Sequence, residues 1–211
     1  MKTSREVAAT VFVVDDDEAV RKSLRLLLKS QGMPVVTHES AAEFLATYDP
    51  EQPGCIILDV RMPGMSGLEL QQELNRRGAV IPVVFITGHG DVPMAVEAMK
   101  HGAVDFLQKP FSDKELSDRI QRALATDLRN RKLLDEKDRI RARLAALTRR
   151  ELQVLQLVTL GKANKVIAGD LGVSQRTVEI HRAHLMQKMG ATSLAHLVRM
   201  TMVAGIGTST Y

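Results

Sequence analysis

Five short, almost purely apolar runs alternate with longer amphipathic stretches over the first 125 residues: VFVVD, PVVTH, CIILDV, IPVVFIT and AVDFLQ. The stretches between them, over 20–30, 41–48, 68–77, 92–100 and from 113 onward, carry apolar residues at helical spacing. A strand with one wet face alternates apolar and polar residues, so near-continuous apolar runs belong to strands covered on both faces. Strand, helix, strand in strict succession then predicts a doubly wound α/β domain with a five-stranded parallel sheet.

The chain has 211 residues, 45% hydrophobic and 26% charged, which fits two soluble globular domains, each with its own core. Neither the N-terminus nor any other segment has an apolar run long enough for a membrane span, so no membrane association and a cytoplasmic location are expected. The single Cys55 lies inside CIILDV and reads as a buried free thiol. Charge is unevenly distributed: residues 1–125 carry 14 basic and 18 acidic side chains, residues 126–211 carry 15 and 7. A polyanionic partner is therefore expected at the C-terminal end.

From Lys114 to Leu147 there is no Gly or Pro, and apolar residues recur among many charges, which predicts one long helix leaving the first domain. Its imperfect heptads suit a solvated linker or a coiled coil with a second copy about equally. Beyond it the pattern is helical only. Thr148 with Glu151 forms a capping box, Gly161 and Gly172 stop two helices, Ser174 caps a third ending at Gly190, and Thr192 or Ser193 caps a fourth. A short helix, a Gly-containing turn and a capped helix together predict a helix-turn-helix. The expected division is 9–125, a helical linker over 126–146, and an all-α four-helix domain over 147–211.

Four of the five strands end in a polar residue: Asp15 with Asp16, Asp59, Thr87 and, just past the last strand, Lys109. Ligands of open α/β sheets bind beyond the strand C-termini, so these residues should meet in one pocket. Clustered carboxylates need a cation, and oxygen donors suit Mg²⁺ or Mn²⁺. A carboxylate nucleophile, a divalent cation, a Lys and a Thr are the parts of phosphoryl transfer to an aspartate, with Asp59 the central nucleophile. A rival reading takes Asp15-x-Asp17 as a phosphatase nucleophile and acid, but leaves Asp59 and Lys109–Pro110 without a role.

The segments VVDDD, LDVRMPGMSG, ITGHGD and GAVDFLQKPF resemble, in order, those of bacterial response-regulator receiver domains, which are flavodoxin-like. The resemblance implies Asp59 as phosphoacceptor and Asp16, Asp59 and the Arg61 carbonyl as metal ligands, with Asp15 near the metal. It also implies Thr87 and Lys109 on the phosphoryl group, Phe106 as the aromatic that turns inward with Thr87, and a cis Lys109–Pro110 bond. Turnover of an external substrate is not expected.

Residues 147–190 resemble the LuxR/FixJ-type helix-turn-helix, with similarity extending to about Met200. Between Ser174 and Gly190, Val178, Leu185 and Met189 fall on one helical face and Arg176, Glu179, Ile180 and Ala183 on the other. Glu179, Ile180 and Ala183 are the expected base-facing positions, with Arg176, Arg182 and Lys188 on phosphates. Asn164, Lys165, Ser174 and Thr177 complete the expected DNA contacts. His181 and His184 lack a partner at metal-ligand spacing, so no zinc site is expected. Together the resemblances imply a regulator phosphorylated by a sensor histidine kinase, dimerising, binding promoter DNA and acting on RNA polymerase, as an activator. A constitutive DNA binder and a protein–protein adaptor are the alternatives.

Overall fold

The computed structural model describes residues 8–88 and 92–205. His89, Gly90 and Asp91 of the ITGHGD segment, and the last residues of the expected 147–211 domain, lie outside the described residues. The chain divides into two compact units, Met1–Arg131 and Lys132–Tyr211. No helix among the described residues is long and apolar enough to cross a membrane.

In the first unit, strands β1 (Thr10–Val14), β2 (Val35–His38), β3 (Gly54–Asp59), β4 (Val83–Thr87) and β5 (Asp105–Gln108) form one sheet in the order β2-β1-β3-β4-β5. Every pairing is parallel. The pleat sends alternate side chains to opposite faces, which explains why the central strands are apolar throughout. Phe12, Val14, Ile56, Leu58 and Phe85 pack under helices α2 (Ala41–Thr47), α3 (Gly67–Arg76) and α4 (Val92–Lys100), through Phe44, Leu70, Leu74 and Ala98. Val11, Val13, Ile57, Val84 and Ile86 face helices α1 (Glu18–Ser30) and α5 (Asp113–Ala145), through Leu24, Leu28, Leu116 and Ile120. Each fully buried aliphatic side chain contributes roughly 1.5–3 kcal/mol. Cys55 is a buried free thiol whose pKa burial pushes up to about 12, so it is unreactive.

The second unit holds α6 (Arg149–Thr159), α7 (Asn164–Leu171), α8 (Gln175–Met189) and α9 (Leu194–Val203). The start signals read from sequence are the ones used. Thr148 and Glu151 form a reciprocal capping box, Ser174 accepts from the Thr177 N–H, and Ser193 accepts from the His196 N–H. Gly172 and Gly190 sit at φ 65° and 63°, left-handed conformations in which a Cβ is strained, and both close a helix. The core joins Val154, Leu155, Ile167, Val178, Leu185 and Leu197 with Ile140 and Leu144 from the end of α5.

Glu151 is also the buried anion of this unit. Lys188 lies 2.7 Å from it, and this pair with the Thr148 N–H holds its pKa down at about 2. Because the folded-state value is depressed, its contribution to stability is present above the ordinary carboxylate value of 4.5 and is lost as pH falls toward about 2. Glu151→Gln is expected to destabilise the second unit by about 2 kcal/mol and to flatten that acid limb, both read by urea unfolding at pH 7 and pH 3.

Candidate functional site

The strand C-termini of the first unit form one polar pocket. Lys109 Nζ donates to Asp15 Oδ2 at 2.9 Å and to Asp59 Oδ1 at 3.1 Å, joining the ends of β1 and β3 to the loop after β5. Asp59 Oδ2 accepts the Arg61 N–H at 2.7 Å, and Asp15 Oδ1 accepts the Asp17 N–H at 2.9 Å. Burial raises the Asp59 pKa. The Arg61 N–H and Lys109 pull it down, Asp15 pushes it up, and the net shift is upward. Burial would lower the Lys109 pKa, but its bonds and attraction to Asp15 and Asp59 outweigh this and raise it.

Thr87, at the end of β4, is buried, and its carbonyl accepts the Lys109 N–H at 2.7 Å. The Lys109–Pro110 peptide is cis. Phe106 is half-buried on β5, its ring centroid 6.4 Å from that of Phe85. Asp16 is exposed and, with Arg61, Met62 and Met94, lines an open cleft beside the pocket.

The donors fit a hard divalent cation in kind: two carboxylates joined by one ammonium, a third acid at the cleft, and backbone oxygen on the Asp59 loop. Among the described residues no three His, Cys, Asp or Glu side chains form a ready-made ligand cluster. Lys109 holds Asp15 and Asp59 together instead.

Asp17 serves as the N-cap of α1, accepting the Ala19 and Val20 N–H groups, so its carboxylate has a structural task and is not aimed at a reacting group beside Asp15. Sequence reasoning missed Arg21, whose Nη1 donates to the Asp15 carbonyl at 2.8 Å and steadies the acidic loop. It also missed the Ser66–Glu69 capping box that starts α3 after the Asp59 loop. The latter has a legible S-x-x-E signature. Gly67 follows directly, its N–H bonded to the Val60 carbonyl, and a Cβ there would collide with the Asp59 carbonyl oxygen. Gly67→Ala is therefore expected to cost about 3 kcal/mol of first-unit stability in a thermal melt and to slow any chemistry at Asp59.

The second unit places the expected recognition residues on α8. Val178, Leu185 and Met189 are buried, while Arg176, Ile180 and Ala183 are exposed and Glu179 is half-buried. Arg176 and Gln175 reach Glu179 at 3.5 and 3.3 Å. Arg182 Nη1 donates to Asn164 Oδ1 of α7 at 2.8 Å, fixing the two helices of the motif against each other. Lys165 is exposed on α7, Ser174 and Thr177 are joined across the α8 cap, and Lys188 is engaged by Glu151 and the Ala146 carbonyl. The Arg143 guanidinium of α5 donates to the Met189 carbonyl at 2.8 Å, closing the C-terminal end of α8.

A parallel five-stranded sheet with an acid–lysine pocket at its C-terminal edge, followed by a capped helix-turn-helix, defines a class, and comparison with known families agrees with it. The response regulator receiver domain family matches residues 11–121, and the luxR family of bacterial regulatory proteins matches residues 145–201. The chain belongs to the two-component response regulators that join a receiver to a LuxR-type DNA-binding domain, and it is a transcriptional regulator. It is 53% identical over 196 residues to the transcriptional regulatory protein FixJ of Azorhizobium caulinodans, covering 93% of each chain. It is 51% identical over 200 residues to FixJ of Rhizobium meliloti, covering 95% of this chain and 98% of that one. The solved structure of the response regulator StyR is similar at 49% identity and a TM-score of 0.78, covering 92% of this chain and 98% of that chain.

Proposed function

We propose that, in the cytoplasm, Asp59 accepts a phosphoryl group from a sensor histidine kinase and that this raises the affinity of the helix-turn-helix for promoter DNA. The observation that carries the reading is Lys109 Nζ within hydrogen-bond distance of both Asp15 and Asp59 at the mouth of the sheet. The Asp59 carboxylate attacks phosphorus, the P–N bond to the donor histidine breaks, and the electron pair leaves with the imidazole nitrogen, which takes a proton. Lys109 then exchanges its bond to Asp59 for one to a phosphoryl oxygen, and Thr87 holds another. Asp15, Asp16, Asp59 and the Arg61 carbonyl would hold Mg²⁺ or Mn²⁺, which supplies charge neutralisation of the phosphoryl oxygens.

Thr87 ends the strand that pairs with β5, where Phe85 lies opposite Phe106, so a shift of Thr87 acts on the Phe106 ring. Phe carries no hydroxyl, and the relay then rests on packing. A homodimer follows, in which two helix-turn-helix units meet two half-sites and gain affinity by effective concentration. Recruitment of RNA polymerase, as an activator, completes the sequence of events. Turnover of an external substrate forms no part of it. In this reading the domains run over 9–125 and 147–211 with a helical link over 126–146, and Asn164, Lys165, Ser174, Arg176, Thr177, Glu179, Ile180, Arg182, Ala183 and Lys188 form or support the DNA face.

Genome-wide footprinting with and without acetyl phosphate tests the reading. Sites occupied more strongly after phosphorylation support it, and identical occupancy overturns the switch while leaving DNA binding intact.

A further inference from the structure

The first unit ends in a hydrogen-bonded clamp that the chemistry at Asp59 does not use. Asp127 of α5, 2% exposed, accepts the Gly54 N–H at 3.0 Å. Arg131 Nε donates to both Asp127 oxygens at 3.0 and 2.9 Å, while its two terminal nitrogens donate to the Pro50 and Gln52 carbonyls at 2.9 and 2.7 Å. Asn130 Nδ2 donates to the Val80 carbonyl at 3.2 Å. Gln52 in turn donates to Thr10 Oγ1 at 3.0 Å.

The strand ends involved are specific. Gly54 opens β3, which ends at Asp59, and Val80 stands just before β4, which ends at Thr87. Thr10 opens β1, which is followed by Asp15, and it pairs with Gly54 in the sheet. One turn of α5 is thus bonded to the entry ends of β3 and β4, and through Gln52 it reaches that of β1, the three strands whose exit ends carry the pocket.

Elsewhere α5 meets the sheet through the apolar Leu116, Ile120 and Ala123 and through the longer ion pairs of Arg119 and Arg122 with Asp105 of β5, at 3.4 and 3.7 Å, and apolar packing is non-directional. It does not by itself fix how far the helix slides or turns. The clamp does, because its bonds are directional and Arg131 is held in a fork. A buried ion pair is also a poor way to gain stability, since well-packed apolar residues do as well or better. Its cost is explained if it specifies a position.

We propose that Asp127 and Arg131 are positioning residues that transmit the state of Asp59 to α5, by holding that helix on the entry ends of β3 and β4 and, through Gln52, of β1. Strands buried on both faces in a close-packed core move as bodies rather than stretch, so a shift at the exit ends reaches the clamp. The proposal rests on the phosphorylation switch described above.

The test uses full-length Asp127→Asn and Arg131→Gln, with a DNA duplex recovered by footprinting the wild-type protein. Asp127→Asn keeps the side-chain shape and removes the charge; Arg131→Gln keeps a donor and removes the fork. Three quantities are measured: the melting temperature, Asp59 labelling by acetyl phosphate, and the ratio of duplex affinities with and without beryllofluoride. The wild-type ratio is expected to be on the order of tenfold and to fall to within about twofold of unity in both variants, with labelling unchanged. A purely structural clamp would lower the melting temperature and leave the ratio at its wild-type value, and that result overturns the proposal. Should Asp127→Asn not fold, Arg131→Gln decides alone. A ratio of one in the wild-type protein itself overturns the switch, and is told apart because it appears without any substitution.

Discussion

Asp59→Asn is expected to reduce phosphate incorporation from acetyl phosphate to background and to leave the protein at its unstimulated DNA affinity. The amide has the shape of the carboxylate and still accepts the Arg61 N–H through its oxygen, so the loop after β3 keeps its course. What disappears is the nucleophile, because a neutral amide oxygen does not displace a phosphoryl donor at a useful rate. Lys109 retains Asp15 as its partner, and the fold is expected to lose no more than about 1 kcal/mol. Phosphate incorporation followed by intact mass, with a melt alongside, checks both halves. Asp15→Asn should slow labelling without abolishing it; a phosphatase activity that survived Asp59→Asn and vanished in Asp15→Asn would support the rival assignment.

The second large effect is at the other end of the chain. Ile180 is 45% exposed on the outer face of α8, and the residue one helical turn further on is the exposed His184. Ile180→Glu puts a second carboxylate beside Glu179 on the surface proposed to face a phosphate-lined groove. DNA affinity should fall by about 100-fold, equivalent to about 3 kcal/mol. Because the site is exposed and within a helix, second-unit stability should change by less than about 0.5 kcal/mol. Fluorescence anisotropy with a labelled duplex, at two salt concentrations, reads the loss, and Asp59 labelling should remain unchanged in the same protein.

The fold was legible because its signals are local. The apolar runs of β1, β3 and β4 are strands covered on both faces, while those of the edge strands β2 and β5 are only partly buried, and the Thr148, Ser174 and Ser193 caps announce helices that begin where they stand. The pocket was legible for a related reason: a parallel sheet brings every strand C-terminus to one edge, so Asp15, Asp59, Thr87 and Lys109 had to be neighbours once the strands were known.

The clamp was not legible. Asp127 and Arg131 are two charges among many on a long helix, and their partners lie 73 to 81 residues away in sequence. The same long helix reads from sequence as a linker over 126–146, yet Asp127 and Arg131 belong to the first unit and Ile140, Arg143 and Leu144 to the second. Periodicity reports that a helix forms and says nothing of which turn docks on what. Charge alone was similarly blind at Lys188 and Arg182. Both are basic residues on α8, and each is bonded within its own unit, to Glu151 and Asn164.

Whether phosphorylation of Asp59 controls DNA binding is decided by the affinity of the full-length protein for one footprinted duplex, measured with and without beryllofluoride and Mg²⁺. Binding on the order of tenfold tighter with the phosphoryl mimic is expected, together with no change in Asp59→Asn. Equal affinity of the wild-type protein in both conditions would contradict the switch.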